Sequence, residues 1–549
     1  MSWKAKAGLL LASVALLSLS LAPISQFYLA WVGLVPWMLV VRDVKSKRAA
    51  FLWSWLGGSA FFLANMWWLW NVTVPGMFAL TVYLGLYFGF AALIFRIPLF
   101  AKPQAAVLVM PVVWVACEYV RGNWSMFGDQ GLPWLYLGTT QTPFLTMCQV
   151  ADIGGVYAVS FWVMMINALV YLVIVQRKNL KSVIHPVVVT VSTMFFIGLY
   201  GSFMMREAKP LRGGPTVLVV QPNYKQSNTG EKGAPDDVRV KFHVDTTNAA
   251  LDECARRGVK VDLVAWSETM MPPINSEARQ VLAPTDMGQK LEATYQQIAS
   301  LAHQRNVAMI VGAVYFGRWQ ERGDKIVATD RRNSAQFFDA TGVSRDEDRY
   351  DKIHLVPFGE FIPYASIPPI YKLLVALGPA YYEDYILTPG TMDELKVFEV
   401  DGARFVVPIC FEDIVGPLVA EMVRAPGGAG TSGKRADFLV NLTNDGWFMA
   451  NEMPQHLQAA IFRSIENRVP TARSVNTGVS GFIDSVGRVH DTVPASTEGW
   501  SVAKLELDSR LTIYTRIGDA FPIACLAGTV VILVFGFVRH RRTARTDEK

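Results

Sequence analysis

Long stretches without a single Asp, Glu, Lys or Arg constrain what this 549-residue chain can fold into. Residues 7–41 and 49–95 are uncharged, as are most of 103–120, 153–176, 182–205 and 520–538. About 20 apolar residues are needed to cross the hydrocarbon core of a bilayer. The first two stretches are each long enough for a pair of spans, broken near Pro23–Gln26 and near Asn71–Gly76, and the other four supply one each. The pattern predicts eight transmembrane helices, seven of them before residue 206. Composition agrees: 52% of residues are hydrophobic and 18% charged, against about 25% charged in an average soluble protein, which excludes a disordered chain and an ordinary soluble enzyme.

Lys4 and Lys6 before the first apolar run, with Ser20-Leu21-Ala22 after it, have the outline of a cleavable signal. Pro23 would follow the cut, where a rigid ring fits a protease poorly, and a second apolar run follows at once, so the segment is read as a span. Lys and Arg favour cytoplasmic loops. With the N-terminus inside, alternate loops hold Lys4 and Lys6; Arg42, Lys45, Lys47 and Arg48; Arg96 and Lys102; Arg177, Lys178 and Lys181; and a tail from Arg539 to Lys549. The intervening short loops are nearly free of them. Residues 206–519 then lie outside, which in a bacterium with two membranes places them in the periplasm and the spans in the inner membrane.

Between residues 215 and 512 charges return, and short β-branched runs alternate with helical patterns, as in an α/β domain. Strands are expected at 216–221, 261–266, 307–311, 404–409 and 438–442, and helices at 236–257, 289–305 and 452–468. The expected organisation is a membrane domain at 1–205, a catalytic domain at 206–512, and a last span with a basic tail at 513–549. The net charge of +5 forms no basic stripe, so no nucleic acid is implied. Five scattered cysteines without CxxC spacing and seven dispersed histidines suggest neither a disulfide framework nor a metal site. The HExxH, P-loop and GxGxxG patterns are missing, and Gly478-Val479-Ser480-Gly481 misses the GxSxG spacing by one residue.

Polar residues at the ends of apolar runs remain. Glu268 ends VDLVAWSE, Lys352 sits in RYDKIHLVPFGE, and Cys410 ends RFVVPIC. A glutamate, a lysine and a cysteine can supply a base, an oxyanion stabiliser and a nucleophile. These motifs, with N-D-G-W-F at 444–448, resemble the nitrilase superfamily. Together with the preceding spans and the segment from Arg121-Gly122 to Pro133-Trp134, they resemble the apolipoprotein N-acyltransferase family. The resemblance implies a four-layer αββα sandwich, a catalytic Glu268-Lys352-Cys410 triad, and supporting roles for Asn333, Glu360 and Glu412. Phe411 stands where a tyrosine is common in that family, and Val220-Gln221-Pro222-Asn223 lacks the tryptophan that some members carry just beyond.

The resemblance further implies ping-pong acyl transfer from a membrane phospholipid, through a Cys410 thioester, to the α-amino group of an S-diacylglyceryl-cysteine apolipoprotein, with no cofactor or metal. Exposed aromatics are expected to meet the lipid, with Tyr381, Tyr382, Trp447 and Phe448 as binding or lid candidates and segment 364–388 as the lid. A monomer is expected. A membrane-tethered amidase acting on a small amide is the competing enzyme reading, although one anchor would then suffice. A transporter is the non-enzyme reading, against which stands the near absence of ionisable residues in the spans.

Overall fold

The computed structural model describes residues 1–97, 103–123, 131–206, 212–226, 233–323, 325–377, 386–425, 433–448 and 451–547. The chain divides into two compact units, Met1–Glu207 with Ile517–Lys549, and Ala208–Arg516.

In the first unit four helices are long and apolar enough to cross a membrane: Trp3–Ser20, Val74–Phe95, Ala151–Val175 and Leu180–Arg206. Lys47–Asn65, with 19 residues, and Ala106–Asn123, with 18, match the shortest of these in length but are less apolar; Ala520–Gly536 is shorter. The second expected span is not one continuous helix. Residues 27–43 form a 3-10 turn, Phe27–Trp31, followed by the nine-residue helix Val35–Asp43, which at 1.5 Å per residue reaches only about 14 Å. A break in an apolar interior leaves backbone groups that must find partners. Asn167 meets that need, accepting from Leu34 N at 2.9 Å and donating to Ala30 O at 2.8 Å, while Gln141 donates to Phe27 O and accepts from the Trp31 indole. Arg121 does the same for a non-helical segment, donating to the carbonyls of Leu132, Trp134 and Leu135.

The second unit is built on two six-stranded sheets. Its strands are β1 (Arg212–Gln221), β2 (Leu263–Met271), β3 (Ala308–Arg322), β4 (Lys325–Phe338), β5 (Arg349–Asp351), β6 (Phe398–Val400), β7 (Ala403–Val406), β8 (Phe438–Thr443), β9 (Thr471–Val475), β10 (Ser480–Ile483), β11 (Val489–Val493) and β12 (Gly499–Leu507). Their orders are β12-β1-β2-β3-β4-β5 and β11-β10-β9-β8-β7-β6. Each sheet has three parallel strands, β1-β2-β3 and β7-β8-β9, flanked by antiparallel ones.

Strand alternation explains the layers. Val217 and Val219 of β1, Leu263 and Ala265 of β2, and Ile310 of β3 share one core with Leu439, Val440 and Ala472 of the second sheet. Their neighbours Leu218, Val220, Val264, Trp266, Met309 and Val311 pack instead with Val240, Ala250, Ile298 and Leu301 of helices Asp236–Arg256 and Asp286–Arg305. Both faces of the parallel strands are therefore dry, and the strands read as unbroken apolar runs. Ser474 of β9 also donates its hydroxyl across the sandwich toward Val220 O and Ala265 O, at 3.1 and 3.0 Å. The observed order of helix layer, sheet and sheet agrees with the nitrilase-like α/β expectation.

One local feature positions chemistry. The β2–β3 register shifts between Trp266 and Met271, and Thr269 adopts φ +52°, so β2 bulges where it carries Glu268. Gly312 on β3 lies against that bulge: a Cβ there would meet Ser267 O at 2.2 Å and Glu268 Cα at 2.6 Å. Both contacts are backbone, so a side chain cannot be accommodated by a rotamer change. Gly312→Ala should destabilise the second unit by about 1–3 kcal/mol, the usual cost of overpacking, read as a lower melting temperature with a parallel loss of activity.

Candidate active site

The carboxyl ends of the parallel strands converge on one cluster, the position where α/β sheets place their ligands. Glu268 comes from the β2 bulge, Asn333 from β4, and Lys352 immediately follows β5. Cys410 opens a 3-10 turn, Cys410–Ile414, after β7. Glu360 arrives from the turn beyond Lys352.

Lys352 is 1% exposed. An isolated ammonium buried so deeply would cost several kcal/mol, so it must be paired. Its Nζ donates to Glu268 Oε1 at 3.2 Å and to Glu360 Oε1 at 3.0 Å, with Glu360 Oε2 at 2.9 Å. Asn333 Nδ2 bridges the same two carboxylates at 2.6 and 2.8 Å, and Val356 N donates to Glu360 Oε2 at 2.8 Å. Burial disfavours the Lys352 ammonium, but Glu268 and Glu360 outweigh it and hold the amine well above its ordinary range. Burial also raises the Glu268 carboxyl, and Glu360 adds to this against the opposing pull of Lys352.

The Cys410 thiol is a hydrogen-bonding neighbour of Glu268. Burial pushes it well above its usual value, with Glu268 acting in the same direction and Lys352 against. A resting thiolate is thus disfavoured. A proton passing from Cys410 to Glu268 leaves the net charge of the buried cluster unchanged, so attack and deprotonation can occur together without new charge being buried. Cys410 sits at φ +49°, a left-handed conformation costing a β-carbon residue about 1–2 kcal/mol. Such strain at a strand-to-helix turn presents the side chain at the end of the sheet.

Glu412 does a different job from Glu360. Its Oε2 accepts from Ile409 N at 2.7 Å, just before Cys410, and its Oε1 accepts from Tyr350 Oη at 2.8 Å, Ile353 N at 2.7 Å and His354 N at 3.0 Å. It therefore ties the Cys410 turn to the Lys352 loop. Burial pushes its carboxyl up to about 7 against these donors. Phe411 is buried and stacks on His354, with ring centroids 5.6 Å apart.

Of the aromatic candidates, Trp447 and Phe448 lie half-buried at the turn Asp445–Trp447 after β8. Tyr381 and Tyr382 fall outside the described residues. Within segment 364–388, the helix Pro368–Leu377 leaves Ile370 and Leu373 exposed, as is Ile367 just before it.

A second buried cluster went unread in the sequence. His456, on helix Glu452–Asn467, has Nε2 2.8 Å from Asp413 and Nδ1 2.9 Å from Asp445, with Glu452 at 3.4 Å. Arg473 of β9 pairs with Asp413 and donates to Asn441 Oδ1 at 2.8 Å. Asp445, Glu452 and His456 bring three donor atoms within 4.8 Å of one another, but Arg473 and the carboxylates facing both ring nitrogens make this an ion-pair network instead of a vacant cation site. Histidine spacing alone gave no sign of it. The adjacency of Asp413 to the Cys410 motif, and the presence of Asp445 in N-D-G-W-F, were the available signals.

Residues 13–169 match the family described as Apolipoprotein N-acyltransferase N-terminal domain, and residues 240–513 the family described as Carbon-nitrogen hydrolase. An Apolipoprotein N-acyltransferase of Geobacter metallireducens is 29% identical over 532 residues, covering 93% of this chain and 91% of that protein. Another, from Chlorobaculum tepidum, is 27% identical over 525 residues, covering 93% and 92%. Among solved structures, a variant of the Nesterenkonia AN1 amidase from the nitrilase superfamily has 15% identity and a TM-score of 0.36, covering 56% of this chain and 95% of that one. A branch 10 nitrilase-superfamily member from Saccharomyces cerevisiae has 16% identity and a TM-score of 0.36, covering 54% and 92%.

Two predictions follow from the geometry. A base must be ionised to accept a proton, so modification of Cys410 by an acyl donor should fail as pH falls through the raised value of Glu268, placing the acid limb of the pH–rate profile above the ordinary glutamate value of 4.5. Glu412→Gln puts an amide donor where at least one backbone N–H needs an acceptor, and should slow that step about 30-fold or more, whereas Tyr350→Phe, which removes one neutral donor, should slow it about tenfold or less. Single-turnover acylation rates check both.

Proposed function

Because the chain belongs to the apolipoprotein N-acyltransferase family, we propose that it N-acylates bacterial lipoproteins, moving a fatty acyl chain from a membrane phospholipid to the α-amino group of an N-terminal S-diacylglyceryl-cysteine. The observation that carries the reading is the buried Glu268-Lys352-Cys410 cluster in a chain whose other unit is built of apolar helices.

In the first half-reaction the Cys410 sulfur attacks the phospholipid ester carbonyl while Glu268 takes the thiol proton. Lys352, with the backbone N–H of Phe411, stabilises the oxyanion, a contribution worth roughly 3 kcal/mol. Collapse breaks the ester C–O bond, Glu268 returns the proton to the departing oxygen, and a lysophospholipid leaves. In the second half-reaction the neutral amine attacks the thioester, Glu268 accepts its proton, and the proton passes to the leaving Cys410 sulfur as the amide forms. The thioester conserves the acyl-transfer potential of the ester, so the chemistry closes on the chain's own side chains. Asn333 and Glu360 hold Lys352 and Glu268 in register, and Glu412 holds the two loops together.

The substrate explains the apolar unit. Drawing a 16-carbon chain into water costs about 12 kcal/mol at 0.8 kcal/mol per methylene, so the site must be reached from the bilayer. We assign eight membrane crossings, with 27–43 as a broken one, the N-terminus inside, and residues 206–512 as a periplasmic catalytic domain of an inner-membrane protein. The alternation of Lys- and Arg-rich loops supports this assignment. The exposed apolar side chains of Pro368–Leu377, with Trp447 and Phe448, suit a lipid-facing approach or lid, and the working unit is a monomer.

Purified protein and Cys410→Ala, each incubated with phospholipid alone, decide the matter by intact mass. The expected result is one acyl adduct on the wild type, none on the variant, and discharge by a diacylglyceryl-cysteine peptide but not by water. An adduct discharged by water at the same rate with or without the peptide would replace acyl transfer by hydrolysis of a small amide or ester.

A further inference from the structure

The second buried cluster has a geometry that fixes its own charge. Both ring nitrogens of His456 face carboxylate oxygens, Asp413 at 2.8 Å and Asp445 at 2.9 Å, and ionised carboxylates can only accept. Two donated hydrogen bonds require both ring protons, so the imidazole is an imidazolium. His456 and its partners Asp413, Asp445, Glu452 and Arg473 are each at most 2% exposed. Asp413 and Asp445 together carry two negative charges, which Arg473 and an imidazolium balance while Glu452, whose carboxyl burial and Asp445 push up to about 7, is protonated; its ionisation adds a third negative charge and strengthens the demand for the imidazolium. A neutral ring would leave one uncompensated negative charge in the interior, a costly state.

The location of the cluster gives that balance a consequence. Asp413 lies three residues after Cys410 in the same 3-10 turn, and Asp445 opens the turn that carries Trp447. His456 joins the nucleophile's turn to the aromatic turn from behind, on a helix that carries neither. Asp445 also acts on the Cys410 thiol in the direction that disfavours the thiolate, alongside Glu268 and Glu360 and against Lys352.

Resting on the acyl-transfer reading above, we propose that the His456 imidazolium is a positioning residue of that reaction: it clamps the Cys410 turn to the Asp445–Trp447 turn and cancels the charge that Asp445 would otherwise present to the nucleophile. The burial and two carboxylates that surround it are consistent with its charge, since the carboxylates outweigh the burial and hold the imidazolium well above the usual histidine range.

The test uses the full-length protein in lipid nanodiscs, alkylated with iodoacetamide over about pH 6 to 10, with the Cys410 peptide followed by mass spectrometry; the rate tracks the thiolate fraction. His456→Gln removes a positive charge and should slow Cys410 alkylation at pH 8 about three- to tenfold and move its profile to higher pH. Asp445→Asn removes a negative charge, keeps the His456–Asp413 bond, and should move the profile the other way. The double variant should return toward wild type. Opposite displacements support the proposal, because a role confined to packing would move both single variants alike or neither. Coincident profiles, or displacement in the same direction, overturn it. If His456→Gln does not fold, Asp445→Asn decides alone: faster alkylation supports the charge balance, and unchanged or slower alkylation overturns it. Alkylation needs no natural substrate, so a wild type that takes up no acyl group from phospholipid would sink the acyl-transfer reading without touching this profile.

Discussion

Burying the Lys352 ammonium is the constraint around which the catalytic unit is arranged. A charge 1% exposed is tolerable only beside fixed counter-charges, and two carboxylates meet at it, bridged to each other by one amide, from three separate places in the chain. Glu268 requires the β2 bulge, the bulge requires Gly312 beneath it, and Asn333 requires β4 to run antiparallel beside β3. The sheet order is thus tied to the electrostatics of one amine. The same pairing that stabilises the ammonium leaves one excess negative charge next to the Cys410 thiol, which adds to burial in keeping the thiol protonated.

A second carboxylate, Glu412, shows how a site on two sheets is kept in register. The Lys352 loop follows the first sheet's last strand and the Cys410 turn belongs to the second sheet, and among the described residues no strand pairing joins them. Four hydrogen bonds to one side chain do so instead, from Ile409, Tyr350, Ile353 and His354. His456 extends the same principle, bonding the Cys410 turn to the turn that Asp445 opens. A buried carboxylate whose two oxygens are both matched by donors, as in Glu412, specifies one arrangement of the loops it joins.

The parallel strands were legible because both their faces are dry: 216–221, 261–266, 307–311 and 438–442 read as apolar runs and overlap β1, β2, β3 and β8, with 261–262 and 307 lying just before the strands they mark. Strands carrying polar side chains were not. β4 holds Thr329, Asp330, Arg331, Arg332 and Asn333 in succession, and β9 holds Arg473 and Ser474 in full burial, so neither has an apolar signature. Triad candidates stood out because Glu268 and Cys410 end apolar runs and Lys352 sits inside a recognisable motif. His456 did not, since its partners are 43 and 11 positions away and only folding brings them together. In the membrane unit, absence of charge marked 7–41 as apolar but could not reveal that 27–43 breaks, because the groups that satisfy the break, Asn167 and Gln141, lie more than 100 residues further on.

These failures share a physical origin with the function. Hydrophobic patterning reports what each segment must hide, and it says little about polar groups whose burial is made tolerable by distant partners. The Glu268-Lys352-Cys410 cluster is made of such groups: a thiol held neutral, a lysine held charged, and a glutamate whose carboxyl burial raises above its ordinary value. None of the three can be set by its own neighbours in sequence, because each depends on charges brought in from another strand. Glu268 illustrates the balance. Burial and Glu360 raise its carboxyl while Lys352, Asn333 and Cys410 lower it, and the net displacement is upward. Losing Lys352 would push Glu268 further toward the neutral acid, and losing Glu360 would make it a weaker base, so the three side chains act as one unit whose chemistry belongs to the pairing.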